Sequence, residues 1–176
     1  MRALSTFVRP AVLALALLVD PATMPSSARA QPSEPPRAEA ALLPADRDRI
    51  FAFVTTYDTE GLLADPVVQA GLAVLRGLPM DHLKRNLDVH GPVGYSSGLV
   101  FVQGNAPHHG GQENAFLGVN LHSGQVCAAF LTQGRIVVFA NQSDYNALPD
   151  ALRDWVLMTF AYERTGGGMP QNVDLR

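Results

Sequence analysis

An α+β fold, an antiparallel β-sheet meander with helices packed on one face, is predicted by three observations. Apolar residues recur at helical spacing between residues 46 and 83. Short β-rich runs punctuated by Gly, Pro and Ser follow Leu87. A last stretch, residues 149–164, returns to a helical period. The 176 residues allow one domain with tails. With 47% hydrophobic and 16% charged residues, the body of the chain carries enough apolar surface to offset its ordering entropy.

Residues 1–30 read as a secretory signal peptide. Arg2 and Arg9 make a positive start, residues 11–19 an apolar run, and Ser27-Ala28-Arg29-Ala30 a site with Ala at −3 and −1, cut after Ala30. Asp20 and Pro21 end the run well short of the roughly 20 residues of a membrane span. No Cys follows for lipid attachment. The exported chain is therefore expected in the periplasm, without a membrane span.

Residues 31–45 are rich in Pro, Glu, Arg and Ala and are expected to form a flexible tether. The folded domain is placed at 46–165. Its first helix begins at Asp46, with Asp46 or Asp48 as cap and Ile50, Phe51, Phe53, Val54 and Tyr57 on one face. A second has Asp65 at N-cap and Pro66 at N1, buries Val67, Val68, Leu72 and Leu75, and stops at Gly77. Pro79 opens a short turn or helix through Leu83. Strands are predicted at 99–103, 116–121, 125–132 and 135–140, with hairpin turns at Ser123-Gly124 and Gln133-Gly134. The closing helix presents Leu152, Trp155, Val156, Thr159 and Phe160, and ends at Gly166-Gly167-Gly168. Residues 166–176 are a C-terminal tail, expected to be loosely held.

The formal net charge is −3, and Lys84-Arg85 is the only adjacent basic pair, which argues against nucleic acid as a partner. Removing residues 1–30 takes away three Arg and one Asp and leaves −5, a balance that suits a basic partner. Cys127 is the one cysteine, so no intramolecular disulfide forms. Its apolar surroundings, residues 126–131, favour a buried small hydrophobe over intermolecular pairing, which leaves a homodimer open.

Gly94-Tyr95-Ser96-Ser97-Gly98 matches G-x-S-x-G. A strand rather than a helix follows it, and no His follows the acids that would complete a triad, so a turn between strands is the better reading. The histidines His82, His90, His108, His109 and His122 show no strong metal-ligand spacing, and no cofactor is implied. The segment Gly104-Asn105-Ala106-Pro107-His108-His109-Gly110-Gly111 remains: small residues, a rigid Pro and two imidazoles between two strands, a surface loop of the kind that carries binding residues.

That loop resembles the hallmark of the Ivy family, the periplasmic inhibitors of vertebrate c-type lysozyme. The family's Cys-Lys-Pro-His-Asp-Cys, followed by Gly, falls in register with Asn105-Ala106-Pro107-His108-His109-Gly110-Gly111. The turn at Ser123-Gly124-Gln125, the strand end at Ala129-Phe130 and the upstream Leu78-Pro79 match as well, over most of residues 46–160. Asn105 and Gly110 stand where the family has its loop cysteines, and His109 where it has Asp.

The resemblance implies an inhibitor without catalytic activity whose loop plugs the lysozyme cleft. His108 would contact the two catalytic carboxylates, Pro107 would restrict the backbone, Gly110 and Gly111 would allow a tight return, and Asn105 and His109 would add rim contacts. Without the stiffening disulfide, ordering the loop costs affinity. An imidazole set between acids binds as its cation, so affinity should weaken as pH rises. The alternatives are a control protein for the bacterium's own lytic transglycosylases and a periplasmic metal-binding protein using the His residues, with a hydrolase last.

Overall fold

The computed structural model describes residues 41–159 and 173–176. The signal peptide, residues 31–40 of the tether, and the segment 160–172, with the predicted end of the last helix, lie outside the described residues.

Four short helices come first: α1 (Pro44–Phe51), α2 (Thr59–Ala64), α3 (Pro66–Val74) and α4 (Met80–Asn86). Pro44 opens α1 and Leu43 is its N-cap, with no side-chain cap. Asp46 lies in the first turn and binds Arg49 at 2.6 Å instead. α1 stops at Phe51, and Thr55 has φ +68°, so the helical face does not run on; Tyr57 is 68% exposed. α2, unforeseen in sequence, is capped by Asp58, which accepts from the Gly61 N–H. In α3 the predicted start holds: Asp65 accepts from the Val67 N–H and Pro66 is at N1; Val68, Leu72 and Leu75 are buried, but Val67 is only partly so, and the helix ends at Val74, short of Gly77.

Seven strands follow, β1 (Val89–His90), β2 (Gly94–Ser96), β3 (Leu99–Asn105), β4 (Asn114–Asn120), β5 (Val126–Thr132), β6 (Arg135–Phe139) and β7 (Val173–Leu175), with α5 (Asp150–Thr159) between the last two. They form one sheet in the order β1-β3-β4-β5-β6-β7, and β2 also pairs with β3. The meander β3 to β6 is antiparallel throughout. Ser97 and Gly98, and Gln133 and Gly134, all have positive φ, the requirement of two-residue hairpin turns matched to strand twist. The G-x-S-x-G stretch is thus β2 and its turn into β3. β7 joins β6 in parallel, a correction to the loosely held tail: Arg176 N–H donates to the Val138 carbonyl at 2.8 Å.

The α+β class and the meander stand, but helices occupy both faces of the sheet, not one. Along β4 and β5 alternate residues separate cleanly. Ala115, Leu117, Val119, Val126, Ala128 and Phe130 pack with Ile50, Leu62, Val68, Leu72 and Leu83 of the N-terminal helices. Phe116, Cys127, Ala129 and Leu131 pack with Leu152, Trp155 and Val156 of α5. The physical reason is visible in β5: Val126–Leu131 is apolar at every position, so a sheet with one wet face would expose half of it. α5 closes that face at a gain of roughly 1.5–3 kcal/mol per large side chain removed from water.

None of the described helices is long and apolar enough to cross a membrane.

Candidate functional site

The meander places the β3–β4 loop beside α4 and β1. Asn105 and Asn114 are the last paired residues of the two strands, and Val89 of β1 lies opposite Asn105. Ala106, fully buried, anchors the loop's start, and its N–H donates to the Glu113 carbonyl at 2.9 Å. From Pro107 to Gln112 every residue is exposed.

Two successive tight turns build the loop. His109 N–H donates to the Ala106 carbonyl at 3.0 Å, closing a turn with Pro107 and His108 at its centre. Pro fixes φ at its own position and His108 has φ +62°, the pattern of a type II turn with a non-Gly residue in the left-handed region. Gln112 N–H then donates to the His109 carbonyl at 3.0 Å, closing a second turn with Gly110 and Gly111, the latter at φ +79°. The His109 carbonyl also accepts from Glu113 N–H at 3.0 Å. His108 therefore sits at an exposed tip in a conformation that costs a β-carbon-bearing residue about 1–3 kcal/mol, the kind of strain that concentrates at binding sites.

The loop's neck is held by side chains. Asn105 Nδ2 donates to the Ala106 carbonyl at 2.9 Å, and Asn114 Oδ1 accepts from the Gly111 N–H at 3.0 Å. Arg85 of α4 pairs with Glu113 at 2.8 Å, and Asn86 Nδ2 donates to the Asn114 carbonyl at 3.4 Å. Hydrogen bonds and an ion pair thus close the loop. Sequence reading found the loop and its exposed histidines but not Arg85, Glu113 or Asn114, because these meet only once α4 and the strand register are set. It also assigned both glycines to the tight return. Only Gly111 needs its glycine; Gly110 has no positive φ, and a β-carbon there would meet nothing closer than 3.7 Å.

The other histidines lie elsewhere. His82 on α4 rests against the Phe130 ring, His90 in β1 bonds Thr59 Oγ1 and the Gly91 carbonyl, and His122 lies in the β4–β5 connection. Among the described residues no three His, Cys, Asp or Glu side chains are grouped to hold a metal ion. Cys127 is buried against α5, and burial pushes its thiol up to about 12, so it offers no surface thiol for pairing two chains.

No curated protein and no solved structure matches the chain. A profile of the family described as Inhibitor of vertebrate lysozyme (Ivy) matches residues 67–161, from the start of α3 past α5, with the whole His108 loop inside the match. The match covers more than half of the chain, and the chain belongs to the Ivy family.

Proposed function

We propose that the chain is an exported, periplasmic inhibitor of c-type lysozyme, with no catalytic activity of its own, that plugs the enzyme's cleft with residues 105–111. The observation that carries this reading is His108, exposed at the tip of a narrow loop and held there in a left-handed backbone conformation by two closed turns and a side-chain neck. Such a tip suits a cleft: it advances an imidazole while Pro107, Gly110 and Gly111 keep its flanks slim. The physical chemistry of the target fits, because lysozyme keeps one catalytic carboxyl protonated and the other ionised, and an imidazole can bond to both while excluding sugar. The loop's own hydrogen bonds supply part of the preorganisation that a disulfide would otherwise give. Asn105 supports the neck and His109 reaches the rim.

The test is hydrolysis of cell-wall substrate by c-type lysozyme as the exported chain is titrated in, with His108→Ala in parallel. Stoichiometric inhibition lost in the variant is the expected result. Equal inhibition by both proteins removes His108 from the mechanism. No inhibition at large excess turns attention to lytic transglycosylases as the target.

A further inference from the structure

Next to the loop, α4 and β1 continue into a second feature, a cleft of about 390 Å³ between them and the α2–α3 region. Its size suits a small molecule or a protruding side chain. Leu63 and Leu87, both buried, supply apolar wall. Glu60 and Asp88 line it as exposed carboxylates, and neither has an ion-pair partner among the described residues.

His90 adds an imidazole. Its Nδ1 lies 2.9 Å from the Gly91 carbonyl and 3.2 Å from Thr59 Oγ1. A carbonyl only accepts, so Nδ1 carries a hydrogen and the ring is held in place from that side. Two carboxylates without ion-pair partners, the oriented imidazole of His90 and apolar wall for methylenes together describe a receptor for a long basic side chain.

The cleft is contiguous with the loop. Arg85 pairs with the loop's Glu113, while its neighbours Lys84 and Leu87 line the cleft; His90 of the cleft is in register with Gly104 at the loop's base. A stable protein complex uses roughly 20–30 residues a side, far more than a seven-residue loop provides, so the surface flanking the loop must take part.

We propose that this cleft receives a Lys or Arg side chain of the enzyme whose active site the loop enters, an inference that rests on the plug reading above. The acidic excess of the chain is complementary to such a partner. Lys84, the one cation on the lining, opposes the incoming charge, which makes the sign of its effect diagnostic.

Calorimetric titration of c-type lysozyme into the exported chain tests this with the variants Glu60→Gln/Asp88→Asn, Lys84→Gln and His108→Ala, each checked for an unchanged melting temperature. The expected result is roughly tenfold weaker binding for the double variant, a gap that narrows with added salt, and binding tightened a few-fold by Lys84→Gln. Full affinity in the double variant with loss in His108→Ala overturns the cleft and leaves the plug standing. Weaker binding in Lys84→Gln also overturns it, since the occupant would then be an anion. Loss in the double variant with none in His108→Ala upholds the cleft and removes His108 from the plug. Absence of any binding by the unmodified chain overturns both.

Discussion

Asn105 and Gly110 face each other across the neck of the His108 loop: a β-carbon at Gly110 would lie 3.8 Å from Asn105 Cγ and 3.7 Å from its Nδ2. These are the two positions at which the resemblance to the Ivy family places cysteines, and the backbone still brings them together. The pair Asn105→Cys/Gly110→Cys should therefore oxidise spontaneously, because Cγ of Asn stands close to where a sulfur would be. Closing so short a loop is worth roughly 2 kcal/mol in the chain-entropy account. Thiol titration and the difference in melting temperature between oxidised and reduced forms check this. Two free thiols after air oxidation would show that the neck is wider than drawn.

The adjacent glycines should behave differently. Gly111→Ala forces an L residue to φ +79° and should cost about 1 kcal/mol, whereas Gly110→Ala has space and no positive φ and should be neutral or slightly stabilising. Chemical denaturation of the two variants reads the contrast. Equal costs would mean that the second turn is not of the type described.

Much of the fold is legible from local rules. Asp65-Pro66 marks the start of α3 because cap and N1 chemistry are local, and the Gln133-Gly134 hairpin follows from turn chemistry in the same way. α2 is missed because Thr59–Ala64 is only six residues long, too short to show a period. The second face of the sheet is half visible. Val126–Leu131 is continuously apolar, and α5 has an apolar stripe, but only the register shows that Phe116 and Cys127 turn toward Trp155 while Leu117 and Ala128 turn away. For the site, Pro107 and His108 stand out by type and position. Arg85 with Glu113 does not, since a 28-residue separation carries no local signal.

Cys127 should be inert in the native protein. Its side chain is enclosed between the sheet and α5, and burial holds the thiol protonated at neutral pH, with a pKa of about 12. An aromatic disulfide reagent should label it only after denaturation, and reductant should leave the hydrodynamic size unchanged. Rapid labelling of the folded chain, or a reductant-sensitive dimer, would contradict this packing.

The joint between α1 and α3 should fail in acid. Arg49 Nε donates to Asp65 at 2.6 Å, where the Asp65 side chain is only 2% exposed. Burial by itself raises the carboxyl's pKa, but the Arg49 hydrogen bond, the backbone N–H groups of Val67 and Val68 and the Arg49 charge together outweigh it, so the net value lies below the ordinary 3.8. A carboxyl depressed in the folded state stabilises fully above its unfolded value, and that contribution disappears as pH falls through the folded one. Asp65→Asn keeps a capping side chain but loses the charge, so it should lower the melting temperature at pH 7. The gap to the unmodified chain should hold to about pH 5 and close below 3.8. Asp65→Ala also removes the cap of α3 and should cost about 1 kcal/mol more, a part that persists in acid. Melting curves of the three proteins from pH 7 to pH 2 separate the two contributions, and a constant gap for Asp65→Asn throughout would show that the ion pair adds nothing.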